Sequence, residues 1–233
     1  MKTSYLCVIV IVFDIIFNRS KMADNYLDKK MEEYAARPAT KPIALGTLSR
    51  LLQKNRSHRG YDSRFIVRSD QLRRIIAVNT KIPSARNQQV LRFRPVLADE
   101  AHKVLPHIRL GGALPHLNLP LSGTEPNAFI IICSTVAESH YVDVDLGISA
   151  QSMLLQAVEI GLNGICIGAF DRAAIRREFG LEYEPLLILA VGKGVERIEL
   201  VEIDSDADHN YYRENGIHYV PKVRLDDLLI DSE

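Results

Sequence analysis

The segment from residue 129 to residue 160 constrains the fold more than any other part of the sequence. It opens with a nearly uninterrupted apolar run at 129–135, whose length and β-branched residues predict a buried strand. At 143–160 apolar residues recur at helical spacing, and Gly161 stands where that helix would end. A buried strand followed by a long amphipathic helix predicts an α+β or α/β domain.

The same two patterns recur along the rest of the chain. Helical spacing predicts helices at 24–35, 45–52, 70–79, 99–105 and 171–179, the last of them capped by Asp171. Strands are predicted at 90–96, 165–168 and 186–191, with an edge strand at 197–203. We expect the buried strands to form one central sheet. The excursion at 94–127 is expected to be a surface loop near a binding site.

The composition excludes several classes of protein. Lys and Arg together number 29, as do Asp and Glu, so the net charge is zero and the basic excess typical of nucleic-acid-binding proteins is missing. The hydrophobic fraction of 47% and the charged fraction of 25% are typical of globular proteins and exclude wholesale disorder. We therefore expect a small-molecule site in which a few placed cations hold any bound anion.

The cysteines give no indication of a disulfide framework or a zinc site. Cys7, Cys133 and Cys166 form no C-x-x-C pair and have no histidine-rich cluster beside them, so no metal site is predicted. Cys133 and Cys166 lie in apolar strand patterns, and we expect both to be buried. This cysteine usage favours a reducing compartment, which predicts a cytoplasmic location.

Residues 1–21 form an apolar leader with several interpretations. Its apolar run at 5–17 is shorter than the about 20 residues that a helix needs to span a bilayer. Asp14 interrupts the run, and the first small residue suited to a cleavage site is Ala23, which is unusual for a signal peptide. We expect a dispensable leader or a start misplaced upstream of Met22, with residues 22–233 as a single domain. A signal peptide, an anchor and a structural strand are the alternatives.

A first polar motif, Arg56-Ser57-His58-Arg59, follows the helical pattern at 45–52. The fork of donors on arginine matches phosphate oxygens, so two guanidinium groups and a hydroxyl this close together can clamp a phosphate. Two arginines just past a helix end are also typical of a solvated surface that complements the helix dipole. Both interpretations stay open on these residues alone. His58 is expected to be exposed.

Two further motifs are equally ambiguous on their own. The sequence Pro83-Ser84-Ala85-Arg86-Asn87-Gln88-Gln89 offers donors and acceptors suited to a sugar alcohol or the rim of a heteroaromatic ring, and it is also compatible with an ordinary loop. Lys222 and Arg224 stand two positions apart on an extended segment, so their side chains are expected to point to the same side. They can neutralise a phosphate or protect an edge strand by charge.

In their order along the chain, these motifs resemble the nitroreductase family of FMN-dependent oxidoreductases. The resemblance rests on Asn55-Arg56-Ser57-His58-Arg59, on the segment 83–93 and on the segment 161–170, GLNGICIGAF. A strand that ends in Val191-Gly192 and the closing Lys222-Val223-Arg224 complete it. The likeness covers about residues 45–230. It implies an α+β, nitroreductase-like three-layer α-β-α fold with a central mixed, mainly antiparallel sheet.

The resemblance also implies a cofactor and the residues that bind it. It implies a homodimer with FMN at the subunit interface. Arg56, Ser57 and Arg59 are expected to bind the FMN phosphate and the adjoining ribityl or pyrimidine edge, and Lys222 and Arg224 to close on the phosphate. The flavin is expected to be lined, from the partner subunit, by Pro83, Ser84, Arg86, Asn87 and Gln89. Gly168 and Ala169 are expected to lie over the ring near its reactive N5.

The activity that the resemblance implies is a ping-pong transfer of electrons. NAD(P)H reduces FMN, and a nitroaromatic or quinone-like acceptor then takes the place of the nicotinamide. The flavin carries this chemistry, so no catalytic side chain is expected, and a cation such as Arg59 would stabilise the reduced flavin. A reductive dehalogenase of the same fold and a non-catalytic FMN-binding module are the alternatives.

Two departures from the family pattern bear on these expectations. Asn55 stands where many members have the first arginine, so phosphate binding must depend on Arg56. Val90-Leu91 replaces the usual Pro-Trp, and the chain has no tryptophan. The substrate pocket is therefore undefined by the sequence.

Overall fold

The computed structural model describes residues 47–110 and 119–230, and the described residues from Leu48 onward belong to one compact unit. The predicted leader at 1–21, Cys7, the predicted helix at 24–35 and part of the excursion at 94–127 lie outside the described residues. Within the described ranges, none of the helices combines the length and the hydrophobicity that a membrane span requires.

A four-stranded antiparallel sheet forms the centre of the fold. Its strands are β1 (Leu91–Val96), β2 (Ala128–Ser134), β3 (Asn163–Ile167) and β4 (Glu184–Gly192). Their spatial order is β1-β2-β4-β3, and every neighbouring pair is antiparallel. The four strands predicted at 90–96, 129–135, 165–168 and 186–191 are confirmed, with ends displaced by no more than two residues.

Helices cover both faces of this sheet, which explains why β2 is apolar at every position. Alternate residues of a strand point to opposite faces. Ile130 and Ile132 therefore pack against α2 (Ser69–Ile76) and α3 (His140–Glu159). Phe129 and Ile131 pack on the other face, with Ile175 of α4 (Arg172–Phe179). The three layers expected from the family resemblance are present.

Local capping signals set the ends of two helices. The side chain of Ser139 accepts a hydrogen bond from the backbone N–H of Val142 at the start of α3, and Gly161 follows the end of α3 with a φ of 80°. Asp171 caps α4 as predicted, because its Oδ1 accepts from the backbone N–H of Ala174 at 2.9 Å. Gly180 ends α4 in the left-handed conformation.

A second sheet, absent from the prediction, follows the first. It contains β5 (Arg197–Ile203), β6 (Tyr212–Glu214) and β7 (Ile217–Val223) in the order β5-β7-β6. β5 coincides with the predicted edge strand and pairs in parallel with β7. β6 and β7 form an antiparallel hairpin whose turn, Asn215-Gly216, has positive φ at both residues. After the hairpin the chain continues into a short helix, α5 (Leu225–Leu228).

Three further predictions differ from the structure in detail. The helix predicted at 45–52 is α1 (Thr47–Lys54), and the one predicted at 70–79 ends at Ile76 and continues as a 3₁₀ turn. The helix predicted at 99–105 is instead two 3₁₀ turns. Cys133 is buried as expected, but Cys166 is exposed, because β3 is an edge strand on which Ile165 and Ile167 point inward and the residue between them does not.

Candidate functional site

The loop that carries the first polar motif, residues 55–61, lies along the open edge of β3. Ser57 forms a parallel bridge with Gly164, and the backbone N–H of His58 donates to the carbonyl oxygen of Gly164 at 3.2 Å. The end of the loop pairs with the connection between β4 and β5. The two arginines of the motif thus stand on a segment that the sheet edge holds in place.

A cavity of about 270 Å³ opens beside this loop, and we name it the arginine cavity. It brings together side chains from the loop, from β5, from β7 and from the segment before β6. Its lining residues are Asn55, Arg56, Ser57, Arg59, Ile198, Tyr211, His218, Val220 and Lys222. Four of these, Arg56, Ser57, Arg59 and Lys222, are residues that the sequence singled out, and β7 brings the last of them to the cavity.

The charge of the arginine cavity is positive. Its described lining contains three basic side chains and no carboxylate. Burial lowers the pKa of the Arg56 guanidinium, and Arg59 is only 7% exposed. A buried guanidinium is costly unless an anion or several acceptors surround it. The cavity therefore favours an anionic ligand.

The side chain of Arg59 contacts uncharged groups. Its Nη1 donates to the carbonyl oxygen of Ser57 at 3.0 Å and lies 3.4 Å from Nε2 of His218. The guanidinium also lies over the ring of Tyr211, 4.7 Å from its centroid. These contacts orient Arg59 without neutralising its charge, which leaves the charge available to a ligand.

His218 is a neutral histidine inside this positive cluster. Its pKa is lowered to about 4, chiefly by burial and to a smaller extent by the nearby charges of Arg59 and Arg213. Because an arginine can only donate, Nε2 of the neutral imidazole must accept from Arg59, which places the ring proton on Nδ1. The imidazole and the ring of Tyr211 form a T-shaped contact, with their centroids 5.1 Å apart.

Unpartnered nitrogen atoms test whether these residues fit a phosphate. Among the described residues that line this cavity, Arg56 Nε, Arg59 Nε and His218 Nδ1 are buried and have no hydrogen-bond partner. Buried donors normally have acceptors, so an atom set of this kind indicates a missing ligand. A group that presents several anionic oxygens would satisfy these donors, and the residues of the arginine cavity therefore fit a phosphate.

His58 is buried, which corrects the prediction that it is exposed. The residue is 7% exposed, and its ring lies against Gly194 so closely that a Cβ added to this glycine would stand 2.3 Å from Nδ1. Burial is the main cause that lowers the His58 pKa. The side chain is buried because the loop packs against the connection between β4 and β5, a contact between distant segments that no local pattern indicates.

Glu196 is the site residue that the sequence interpretation missed. Its carboxylate is largely buried and accepts hydrogen bonds from the backbone N–H groups of Arg59 and Gly60. It also forms an ion pair with Arg213 of β6 and lies 4.0 Å from Nδ1 of His58. The sequence around it, a single acidic residue before an alternating strand, carries no signal of this role.

A neighbouring cavity of about 360 Å³ shares Arg56 and Ile198 with the arginine cavity. Two of its three basic side chains, those of Arg56 and Lys193 but not Lys54, donate to carbonyl oxygens at the ends of helices. Arg56 donates through Nη2 to the carbonyl oxygen of Leu52 in α1, and Lys193 donates through Nζ to the carbonyl oxygen of Gly161 after α3. These contacts satisfy carbonyls that helices leave without partners, so the second cavity is a structural junction.

The second polar motif, 83–89, lies at a different cavity of about 560 Å³, between α2, α3 and β1. Pro83, Ser84 and Gln89 contribute to its lining, while Arg86 and Asn87 have exposed side chains outside it. No described residue lines both this cavity and the arginine cavity. Within one chain, the structure therefore does not bring the two predicted parts of the site together.

The loop 83–89 is strained and held by Asp145. Arg86, Asn87 and Gln89 have φ values of 52°, 53° and 47°, which are unfavourable for residues with side chains. The buried Asp145 of α3 accepts from Ser84 Oγ at 2.7 Å, and from the Ala85 N–H and Gln88 Nε2. Burial alone would raise the Asp145 pKa, but these three hydrogen bonds lower it.

Gly168 and Ala169 follow the end of β3 and are both exposed. A Cβ built on Gly168 meets no atom within 4 Å among the described residues, so a ligand has free access to this backbone. About four residues separate Gly168 from Gly164, the partner of Ser57, which corresponds to about 13 Å along a strand. This surface and the arginine cavity thus lie on the same strand edge.

Arg224 does not line the arginine cavity, in contrast to Lys222. Its Nη2 lies 2.6 Å from Oδ1 of Asp204 and 3.6 Å from Oδ2 of Asp227. The expected alternation fails because β7 ends at Val223, so Arg224 belongs to the turn into α5 and points to these carboxylates. A phosphate would have to compete with two carboxylates for this guanidinium.

Comparison with known proteins finds a match over the part of the chain that contains the two polar loops. A family model for the nitroreductase family matches residues 52–193. This range includes the loop 55–61, the loop 83–89 and the end of β3, but ends before β7. No curated protein matches the chain.

Several solved structures share the fold at low sequence identity. A nitroreductase family protein from Streptococcus pneumoniae aligns with a TM-score of 0.54 at 16% identity, over 66% of this chain and 93% of its own. A protein from Exiguobacterium sibiricum, assigned as a nitroreductase and crystallised with FMN, aligns at 0.53 and 19% identity over 65% and 90%. One from Staphylococcus epidermidis, assigned as an NAD(P)H:FMN oxidoreductase, aligns at 0.53 and 20% identity over 68% and 92%.

Proposed function

This chain belongs to the nitroreductase family, and we propose that it is an FMN-dependent oxidoreductase that moves electrons from NAD(P)H to a small electron-poor acceptor, a nitroaromatic or a quinone. The observation that carries the proposal is the arginine cavity, with its three cations and its unpartnered buried nitrogens. The FMN in the E. sibiricum structure and the name of the S. epidermidis protein support the cofactor and the electron donor.

The arginine cavity suits the phosphate end of the cofactor. Cavities that enclose whole small molecules usually measure about 300–1,000 Å³, and this one is slightly smaller. Arg56, Arg59 and Lys222 would donate to the phosphate oxygens, with Ser57 beside them. Because Arg59 is buried and already oriented, its hydrogen bonds to an anion cost little side-chain entropy.

The isoalloxazine ring would then extend along the edge of β3. Gly168 and Ala169 offer exposed backbone there, and the absent side chain of Gly168 permits a close approach. When bound, FMN supplies the redox chemistry, by accepting a hydride from a reduced nicotinamide and passing electrons on in a second half-reaction. The chain itself binds and orients the cofactor.

A second copy of the chain would complete the site. Pro83, Ser84, Arg86, Asn87 and Gln89 stand on a loop that shares no cavity with Arg59 in one chain. They would reach the flavin of a partner subunit, and the rigid conformation that Asp145 imposes on the loop would present their polar groups. Exposed apolar residues in the segment 225–230, namely Leu225, Leu228, Leu229 and Ile230, offer a surface for such a partner.

The experiment is a titration of the purified protein with FMN, followed by redox assays without oxygen. We expect one FMN per chain, loss of the oxidised flavin absorbance after addition of NADH or NADPH, and its recovery after addition of a nitroarene or a quinone. Riboflavin, which lacks the phosphate, serves as the control ligand and is expected to bind more weakly.

The outcomes separate the proposal from its alternatives. Protein that binds no FMN contradicts the proposal. Bound FMN that NAD(P)H does not reduce favours a non-catalytic binding module, and oxidation only by halogenated aromatic substrates favours a reductive dehalogenase.

A further inference from the structure

We propose that Glu196 is a positioning residue that sets the place of Arg59 for binding of the FMN phosphate. The inference rests on the proposed function, because it assigns a role within the same binding site. Glu196 lies outside the residues 52–193 that the family model matches, and it does not line the arginine cavity itself.

The contacts of Glu196 fix the backbone on which Arg59 stands. One carboxylate oxygen, Oε2, accepts from the backbone N–H groups of both Arg59 and Gly60. Two consecutive N–H groups that converge on one oxygen define the direction of the chain at this point. The Cα of Arg59, and with it the start of its side chain, is therefore set by a carboxylate more than 130 residues away in sequence.

The other side of the carboxylate is anchored in the second sheet. Oε1 pairs with Nη2 of Arg213, on β6, and the side chain of Glu196 is only 10% exposed. β6 is paired with β7, which carries His218 and Lys222 to the arginine cavity. Glu196 thus holds the loop of Arg59 in register with the strand that supplies the opposite wall of the cavity.

A positioning role and a purely electrostatic role of Glu196 predict opposite changes in phosphate affinity when its charge is removed. A carboxylate near an anion-binding site repels the anion, so removal of its charge should tighten phosphate binding if charge were its only effect. If Glu196 positions Arg59, the same change should weaken phosphate binding. Glu196→Gln keeps the size of the side chain but has one acceptor oxygen in place of two, so it cannot accept from both Arg213 and the backbone N–H groups of the loop. The direction of the change in affinity therefore separates the two effects.

The test compares the affinities of Glu196→Gln and the unmodified protein for FMN, riboflavin and inorganic phosphate. We expect the FMN dissociation constant to rise by roughly tenfold or more, as for the loss of one well-aligned charged hydrogen bond, with the riboflavin constant nearly unchanged. The control is Glu199→Gln, which removes an exposed carboxylate of β5 that pairs only with Arg197 among the described contacts. It should leave all three constants unchanged.

Other outcomes overturn the inference. A lower or unchanged dissociation constant for FMN shows that Glu196 acts through its charge or has no effect on binding. An equal loss of affinity for FMN and for riboflavin shows a general structural role. If Glu196→Gln gives no cooperative unfolding transition, Glu196→Asp replaces it; this shorter carboxylate keeps the charge, and unchanged FMN affinity would contradict a positioning role.

Inorganic phosphate separates this inference from the proposed function. An unmodified protein that binds phosphate but not FMN contradicts the proposed function, and the same comparison of variants then decides the role of Glu196 with phosphate as the probe. A protein that binds neither ligand overturns both.

Discussion

At the scale of single residues, the arginine cavity depends on polar groups that are buried but not neutralised. Arg59 has a neutral imidazole, a carbonyl oxygen and an aromatic ring as neighbours, and its Nε is unpartnered. Such an arrangement costs folding free energy, since a buried guanidinium is most stable next to a carboxylate. Binding sites often contain such unpaired buried groups, because the ligand provides the missing partner.

Lys222 and Arg224 allow a matched comparison of two cations. Lys222 lines the arginine cavity, whereas Arg224 pairs with Asp204 and Asp227. A charged hydrogen bond contributes about 1.5–3 kcal/mol, so Lys222→Ala should raise the FMN dissociation constant about 10- to 150-fold. Arg224→Ala should change it by less than about threefold. Isothermal titration of both variants checks this, and a larger effect of Arg224→Ala would refute the assignment.

His218 should make the stability of the protein depend on pH. Its pKa is lowered to about 4 by burial and by Arg59 and Arg213, while an unfolded histidine titrates near 6.5. Between these values the unfolded state binds a proton that the folded state does not, so the free energy of unfolding falls as the pH drops from about 6.5 to about 4.

Urea unfolding at about pH 7 and pH 5 measures this effect. We expect His218→Gln to reduce the acid-induced loss of stability by at most roughly 2 kcal/mol relative to the unmodified protein. His209→Gln, which replaces an exposed histidine, should leave the loss unchanged. Identical losses in all three proteins would show that His218 titrates normally in the folded state.

Asp145 should stabilise the loop 83–89 more than an ordinary surface carboxylate would. Asp145→Asn replaces one of the two carboxylate oxygens with an NH₂ group, so either the Ala85 N–H or Gln88 Nε2 loses its acceptor. The expected cost is about 1–3 kcal/mol of unfolding free energy. Asp143→Asn, an exposed change in the same helix, is the control and should have a much smaller effect. Equal stabilities of the two variants in denaturant would contradict the role of Asp145.

At the scale of elements, close contacts between backbones determine how β3 packs. A Cβ added to Gly164 would lie 2.6 Å from the carbonyl oxygen of Ala190 in β4 and 2.6 Å from Cδ2 of Leu154 in α3. The carbonyl oxygen belongs to the sheet and cannot move away. This glycine also pairs with Ser57, so the packing of β3 and the position of the loop 55–61 are linked.

Two Gly→Ala substitutions should therefore change the free energy of unfolding in opposite directions. Gly164→Ala should lower the free energy of unfolding by about 1–3 kcal/mol, because the added methyl group overpacks the sheet. Gly147→Ala, on the exposed face of α3, has no atom of the described residues within 4 Å of the added Cβ and should raise it by about 0.5–1 kcal/mol. Denaturant unfolding of both variants checks the signs. A stable Gly164→Ala protein would mean that β3 has room to shift.

At the scale of the whole molecule, the proposed function requires a second copy of the chain, because the two parts of the predicted site lie at separate cavities. The apolar side chains of residues 225–230 are largely exposed, including Ile230 at 98%. Within this segment, Leu228-Leu229-Ile230 is an uninterrupted apolar run, and exposed apolar patches often mark interaction surfaces. If this segment forms the contact with a second copy of the chain, substitutions in it should abolish dimer formation and weaken FMN binding together.

Sedimentation velocity of the double variant Leu228→Glu, Leu229→Glu tests this expectation. We expect the unmodified protein to be a dimer, and the variant to be largely monomeric with at least about tenfold weaker FMN binding, since buried charges oppose association. The double variant Ile66→Glu, Leu121→Glu changes two other exposed apolar residues and should remain dimeric. A monomeric variant with full FMN affinity would show that one chain holds the complete site.

The sequence by itself determined the elements that depend on local patterns. The apolar run of β2, the helical spacing of α3, and the caps Asp171 and Gly161 act within a few residues, so their positions could be predicted. The β6–β7 hairpin could also have been found, because Asn215-Gly216 between two alternating segments is a strong turn signal. The motifs likewise identified four of the residues that line the arginine cavity.

Only the tertiary structure decided which polar groups face one another. The burial of His58, the convergence of His218 and Lys222 on Arg59, and the role of Glu196 depend on the parallel pairing of β5 with β7 and on the contact of the loop 55–61 with β3. The strand pairing joins segments about 20 residues apart and the contacts of the loop 55–61 join segments more than 100 residues apart, so no local preference of the chain reports them. Arg224 was predicted to bind the phosphate, but β7 ends at Val223, one residue before it, and its guanidinium pairs with Asp204 and Asp227 instead.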